Sequence, residues 1–508
     1  MQRHIQKSEI SPPLGILLSV VSGLLLFSSF VYFPYLSFIS FIPLLFLIDA
    51  SSPAKLFFYG LLAGFTLYIP LLSFVLVMEV PIRFYLYLGV FLLWLYLSLY
   101  YGLWCSITKI ILERSGSFGW ISSIVLFVSL EFLRSLTREI GFPWGTIGYT
   151  LVPQKYLIQI ADVTGIAGLS FLVIFTNVVL YNSFKRPVLI ILPILIFSGV
   201  MGYSRCRIES LQKLQFTTRN QGTKITVLVV QPNISPDIKR RVEMNTRKRV
   251  LKKASQTEPQ TDLIVWPESA LPGYMIEGGE PERITRQIAD SLRVPILMGG
   301  SRISFEEKRT KVYNSAFLVE PHKGITEFYD KIYLVPFGER LPLDEFFPAL
   351  QKLEFGQGRF SPGERRTLFT VNGMRFGVLI CFESIFPRHV RKLVKEGADF
   401  MVNITDDSWF GRTFGPYEHA RMAVLRAVET RRTFVRCGNT GISYIATPEG
   451  EIKHRTELFE EAVISDDIYP GSTETPYTKY GDVFSYIMLI IAVICITGAV
   501  YGRRTSRY

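Results

Sequence analysis

With 49% hydrophobic residues and a mean hydropathy of +0.27 over 508 residues, the chain is too apolar for an ordinary soluble enzyme. The formal net charge of +12 raises the question of nucleic acid, but no basic patch interleaved with aromatic residues stands out. The charge is spread over apolar flanks and a polar segment, so a face near anionic lipid accounts for it. Five scattered cysteines (Cys105, Cys206, Cys381, Cys437, Cys495) have no metal-ligand spacing, which argues against a disulfide framework and a zinc site.

The apolar excess is concentrated at residues 13–204 and again at 484–501, with a polar stretch between. The first apolar run is too long for a cleaved signal peptide and lacks a convincing small-residue cleavage site. Spans are expected near 14–33, 35–49, 55–78, 84–111, 117–134, 165–184, 187–204 and 484–501. This divides the chain into a membrane domain of about seven helices (1–204), an extramembrane domain (205–483), and a last helix with a basic tail (484–508). Lys and Arg flank alternate span ends (Arg3 and Lys7, Lys55, Lys109 and Arg114, Lys185 and Arg186, then Arg503, Arg504 and Arg507). The positive-inside rule then puts both termini in the cytoplasm and the large domain on the far side, the periplasm of a bacterial inner membrane.

Glu131 and Arg134 end the fifth span, and Gly141-Phe-Pro-Trp-Gly-Thr-Ile-Gly-Tyr149 follows. That pair could hold a lipid head group, or could satisfy itself while Trp144 and Tyr149 anchor at the interface. Gly165, Gly168 and Ser170 open the sixth span and suit close helix packing.

Residues 205–224 form a polar connector, after which strands and helices alternate as in an α/β layered domain. Strands are expected at 226–233, 262–268, 295–300, 312–320, 324–335, 375–381 and 398–404, and alternating strands at 441–468. Helices are expected at 236–256, 281–292 and 417–431. Polar residues just past strand ends are the first place to seek chemistry in such a domain. Three qualify: Glu268 after Trp266-Pro267, Lys331 in Tyr329-Asp-Lys331, and Cys381 after Val378-Leu-Ile380. Cys381 reads as lying between a strand and a helix start with Ser384 as N-cap, where partial positive charge favours thiolate. A carboxylate can serve as base for a thiol, an ammonium can stabilise the oxyanion of an attacked carbonyl, and the Phe382 N–H can add a second donor. The set requires neither metal nor cofactor.

Trp-Pro-Glu268, Asp-Lys331 and Cys381-Phe-Glu383, in that order, resemble the Glu-Lys-Cys triad of the nitrilase (carbon–nitrogen hydrolase) superfamily. Leu334-Val-Pro-Phe-Gly-Glu339, Asn403-Ile-Thr-Asp-Asp-Ser-Trp-Phe-Gly411, Gly141-Phe-Pro-Trp144 and the order of spans, domain, span narrow the resemblance to the apolipoprotein N-acyltransferase family. The resemblance implies a polytopic α-helical membrane domain joined to a nitrilase-like αββα sandwich. It implies acyl transfer from a phospholipid, through a Cys381 thioester, to the α-amino group of a lipoprotein's diacylglyceryl-cysteine. Glu268 would be the general base, Lys331 the oxyanion stabiliser and Cys381 the nucleophile; Glu339 would support the lysine and Glu383 would hold the turn. Trp409, Trp144, Tyr149, Phe346 and Phe347 are candidate substrate contacts, the last two within an aromatic-rich stretch, 341–360, suited to a lid facing the bilayer. Lys239-Arg240 and Asp406 depart from the family pattern. A monomer is the default. Two other readings share these residues: a membrane-tethered amidase, and a transporter or receptor with an inactive nitrilase-like domain. The intact triad and the scarcity of charge in the spans oppose the second.

Overall fold

The computed structural model describes residues 10–78, 83–115, 119–137, 140–220, 222–234, 244–255, 260–306, 309–341, 360–471 and 473–501. Among the described residues, six helices are long and apolar enough to cross a membrane: Pro12–Val31, Pro53–Leu71, Arg83–Ser115, Ile166–Ser183, Pro187–Arg219 and Val483–Tyr501. The other two expected spans are shorter apolar helices, Pro34–Ala50 and Gly119–Leu133. In the first, a tight turn at Pro34–Phe38 gives way to a new helix only at Ile42. The second has 15 residues and so reaches about 22 Å, short of the roughly 30 Å hydrocarbon thickness. The connector after 204 is mostly helical, because the helix that begins at Ile191 runs unbroken to Asn220.

Residues 225–468 build two six-stranded sheets. The strands are β1 (Ile225–Gln231), β2 (Leu263–Val265), β3 (Ile296–Glu306), β4 (Arg309–Glu320), β5 (Gly324–Asp330), β6 (Leu368–Val371), β7 (Met374–Ile380), β8 (Phe400–Thr405), β9 (Phe434–Gly438), β10 (Tyr444–Ala446), β11 (Ile452–Lys453) and β12 (Ala462–Ile468). One sheet has the order β12-β1-β2-β3-β4-β5 and the other β11-β10-β9-β8-β7-β6. β1, β2 and β3 are parallel, as are β7, β8 and β9. These central strands are near-continuous apolar runs because both faces are covered. Val227, Val229, Val265 and Leu297 of the first sheet meet Val378, Ile380, Val402 and Ile404 of the second in one core. The expected alternating tail is divided: β10 and β11 extend the second sheet, whereas β12 crosses to pair antiparallel with β1.

Helices cover both outer faces, completing an αββα sandwich. Leu251, Ile284 and Ile288 pack on the first sheet beside Leu228 and Met298. On the second sheet lie Pro387–Lys395 and Gly415–Thr430, and their core is continuous with that of the membrane helices. Two of the contacts across this seam show how tightly it closes. Gly415 leaves room for the Phe74 ring, which a Cβ would approach to 2.7 Å. Asp162, fully buried just before the helix Ile166–Ser183, accepts from Arg431 at 2.9 Å and from Arg207 at 2.8 Å.

The Glu131–Arg134 ions lie 3.7 Å apart, and both side chains tie into the loop that follows. Arg134 is 2% exposed and donates to the Tyr68 hydroxyl at 2.6 Å and to Thr146 at 3.1 Å; Glu131 accepts from the Ile147 N–H at 2.8 Å. Trp144 and Tyr149 are buried, not placed at the surface as interfacial anchors would be. Trp144 packs against Phe74, ring centroids 4.9 Å apart, and the Arg426 guanidinium lies 5.7 Å over the Tyr149 ring.

Candidate active site

Glu268, Lys331 and Cys381 all follow strand ends and all sit within one buried cluster. Lys331 is 1% exposed, and its ammonium lies 2.9 Å from Glu339 and 3.7 Å from Glu268. Asn314 sits between the two carboxylates and donates to each at 2.7 Å. Its carbonyl accepts from the Lys331 N–H at 2.8 Å, so β4 fixes the lysine backbone as well. The second Glu268 oxygen accepts from the Asp406 N–H at 3.0 Å, and Glu339 also accepts from the Val335 N–H at 2.8 Å. Every oxygen that would otherwise be buried bare therefore has a donor. Burial opposes charge on Lys331, but Glu339 and then Glu268 hold its pKa above the ordinary lysine value, so it stays cationic.

Cys381 is at φ 51°, the left-handed region, which costs a non-glycine residue about 1–2 kcal/mol. The expected helix does not begin there. Cys381–Ile385 is a single tight turn, and the helix starts at Pro387 after Phe386. Ser384 is not an N-cap; its hydroxyl donates to the Cys381 carbonyl at 3.1 Å. With the helix N-terminus displaced, the thiolate is not favoured. Burial and the Glu268 carboxylate push the thiol pKa well up, and Lys331 offsets only part. A resting thiol beside a carboxylate can hand its proton to that carboxylate.

Glu383 is fully buried and collects four donors: the N–H groups of Ile380, Ile332 and Tyr333, and the Tyr329 hydroxyl. It thereby joins the cysteine turn to the segment that carries Lys331. Burial pushes its pKa up to about 6 against those donors.

Cys381, Asp407 and His419 place possible metal-ligand atoms within 4.8 Å of one another. The Arg436 guanidinium donates to Asp407 at 2.7 Å and lies 3.0 Å from His419 Nδ1. A fixed cation thus already neutralises the carboxylate that an ion would use, and the set does not suit a metal. Burial raises the Asp407 pKa, but Arg436 and His419 outweigh it and hold the carboxyl below its ordinary value.

Among the other expected contacts, Trp409 is half-buried on the turn Asp407–Phe410. Its neighbour Phe410 meets the membrane helices, 4.8 Å from Phe74 and 6.1 Å from Trp144 between ring centroids. Phe382 faces Phe142 at 6.2 Å and Phe386 at 5.1 Å. Phe346 and Phe347, and nearly all of the expected lid, lie outside the described residues. Sequence reasoning missed Asn314 and the Asp407–His419–Arg436 group. The signal for Asn314 was a lone amide on an otherwise core-forming strand, Val312 to Val319.

Residues 226–476 match the carbon-nitrogen hydrolase family, and residues 22–179 match the apolipoprotein N-acyltransferase N-terminal domain. An apolipoprotein N-acyltransferase of Geobacter metallireducens is 35% identical over 515 residues, covering 96% of each chain. Another, of Allorhizobium ampelinum, is 32% identical and covers 72% of this chain and 70% of its own. A nitrilase-superfamily structure from Saccharomyces cerevisiae covers 49% of this chain and 90% of its own, at 21% identity and a TM-score of 0.39. The apolar helices and these bacterial relatives identify a bacterial membrane protein. With both modules matched and a relative aligned over 96% of each chain, the chain belongs to the apolipoprotein N-acyltransferase family.

Proposed function

We propose that this enzyme moves a fatty acyl chain from a membrane phospholipid to the α-amino group of an apolipoprotein's N-terminal diacylglyceryl-cysteine, by way of a thioester on Cys381. The observation that carries the reading is the buried Glu268–Asn314–Glu339–Lys331 cluster beside a protonated thiol, in a domain whose helical layer shares its core with membrane helices.

In the first half, the Glu268 carboxylate takes the thiol proton as Sγ attacks the ester carbonyl carbon. The carbonyl oxygen becomes an oxyanion facing the Lys331 ammonium and the Phe382 N–H. Collapse breaks the carbon–oxygen ester bond, and the departing lysophospholipid alkoxide recovers the proton from Glu268. In the second half, the lipoprotein amine attacks the thioester carbon and gives its proton to Glu268. Collapse expels the Cys381 thiolate, which takes that proton back, leaving an amide. Glu339 works through Lys331, keeping it charged in both halves.

Donor and acceptor are both membrane-anchored, which accounts for a catalytic domain fused to apolar helices. The basic flanks Lys55, Lys109, Arg114, Lys185 and Arg186 support an orientation with those loops and both termini cytoplasmic and the catalytic domain periplasmic. The triad comes from one chain, which suits a monomer. The test is conversion of a diacylglyceryl-cysteine peptide, in micelles with acyl-labelled phospholipid, to an N-acylated amide. Wild type should form labelled amide and Cys381→Ala none; labelled free fatty acid in place of amide would make the protein a hydrolase.

A further inference from the structure

The turn carrying Cys381 is held from behind by groups that the acyl-transfer scheme leaves unused. The Cys381 carbonyl oxygen accepts from the Ser384 hydroxyl at 3.1 Å and from the Asn403 amide at 3.3 Å, and it lies 3.1 Å from His419 Nε2. His419 is itself fixed on its other sides. Its Nδ1 lies 2.9 Å from the Asp407 carboxylate and accepts from Arg436 at 3.0 Å, the same guanidinium that donates to Asp407 at 2.7 Å, so the ring's one N–H is at Nε2 and donates to the Cys381 carbonyl. The Trp144 indole stacks on the imidazole, centroids 5.7 Å apart and planes at 29°. His419, Asp407 and Arg436 come from three separate elements: the helix Gly415–Thr430, the turn after β8, and β9. Each is at most 1% exposed.

Burying three ionisable groups together is costly, and apolar side chains would fill the space at least as well if packing were the only demand. What apolar groups cannot do is hold a carbonyl. The strained φ at Cys381 makes that hold matter, because a small turn of this peptide moves both the thiol and the Phe382 N–H. We propose that His419, oriented by Asp407 and Arg436, is a positioning residue that locks the Cys381 carbonyl so that thiol and oxyanion donor meet the ester in a fixed register. The inference rests on acyl transfer at Cys381. Through the Trp144 stack it also makes His419 the point where the membrane module braces the nucleophile turn.

The test compares His419→Gln with His419→Asn in the full-length enzyme. The Gln amide reaches the Cys381 carbonyl; the shorter Asn amide reaches only Asp407. The readout is the single-turnover rate of acyl-enzyme formation, by intact mass, against concentration of dioleoyl phosphatidylethanolamine in detergent micelles. Gln is expected to load within about threefold of wild type. Asn is expected to load about 100-fold more slowly with the half-saturating lipid concentration unchanged, as a misplaced nucleophile does. Equal rates for Asn and Gln overturn the proposal. So does a loss in Asn that appears only as weaker lipid saturation. If the Asn variant does not fold, Ser384→Ala replaces it: loading about three- to tenfold slower supports the proposal, and a wild-type rate overturns it. A wild-type enzyme that never acylates refutes acyl transfer instead. In that case alkylation of Cys381 by iodoacetamide, slower in Asn than in Gln, still tests the positioning, and equal alkylation overturns it.

Discussion

Replacing Asn314 by leucine probes how the site divides two carboxylates and one ammonium. The side chain is 6% exposed and gives a 2.7 Å hydrogen bond to each of Glu268 and Glu339. Leucine keeps the volume and removes both bonds. A hydrogen bond to a charged group is worth about 1.5–3 kcal/mol. The bond also fixes Glu268 in place beside the thiol, and losing that positioning is expected to slow acyl loading by roughly 10- to 150-fold. Loss of a donor to the charged form also favours the protonated acid. The low-pH limb of the loading rate should move to higher pH. Asn314→Asp, with a third carboxyl against one ammonium, should fall further than the leucine variant. The assay is single-turnover acylation at several pH values on protein that melts cooperatively. A rate within twofold of wild type, with the limb unmoved, would refute the role given to Asn314.

Glu383 supplies a pH test with a definite sign. Its pKa is raised from 4.5 to about 6 in the fold, so its contribution is fully present below about pH 4.5 and is lost as pH rises through about 6. Wild type measured against Glu383→Gln should thus lose about 2 kcal/mol of stability between pH 4.5 and 7, and a constant or growing difference contradicts this. Asp162→Asn removes the negative charge facing two arginines, one of them fully buried, and should cost about 3–5 kcal/mol, read as a clear fall in melting temperature. An unchanged melting temperature would mean that this seam carries no load. Gly415→Ala puts a Cβ within 2.7 Å of the Phe74 ring and should destabilise by about 1–3 kcal/mol in the same melting assay, because the contact is interior. Wild-type melting of that variant would show that the ring can shift without loss.

The parts of the site that follow strand ends were legible in the sequence. Glu268, Lys331 and Cys381 each sit where an apolar run stops at a polar residue, and the sandwich brings those ends together. What could not be read is set by contacts across the fold. Asn314 lies in mid-strand, and only the approach of Glu268 and Glu339 gives its amide a purpose. The resting state of the thiol was misread because the local pattern suggested a helix start at Cys381, whereas the chain makes a tight turn first and the burial of the thiol, with Glu268 beside it, dominates. Trp144 and Tyr149 look like interfacial anchors by composition, yet they are buried because the catalytic domain covers the end of the membrane module. Two of the eight expected spans are short, since hydropathy reports apolarity and not where a proline or loop ends the helix.

The central claim is a thioester on Cys381 that an amine resolves. Its most direct measurement is the intact mass of the enzyme after incubation with phospholipid, before and after addition of a diacylglyceryl-cysteine peptide. Wild type should gain the mass of one acyl chain and return to its starting mass as the peptide gains that chain, while Cys381→Ala should gain nothing. An adduct that survives Cys381→Ala, or no adduct on wild type with any phospholipid, would contradict the account.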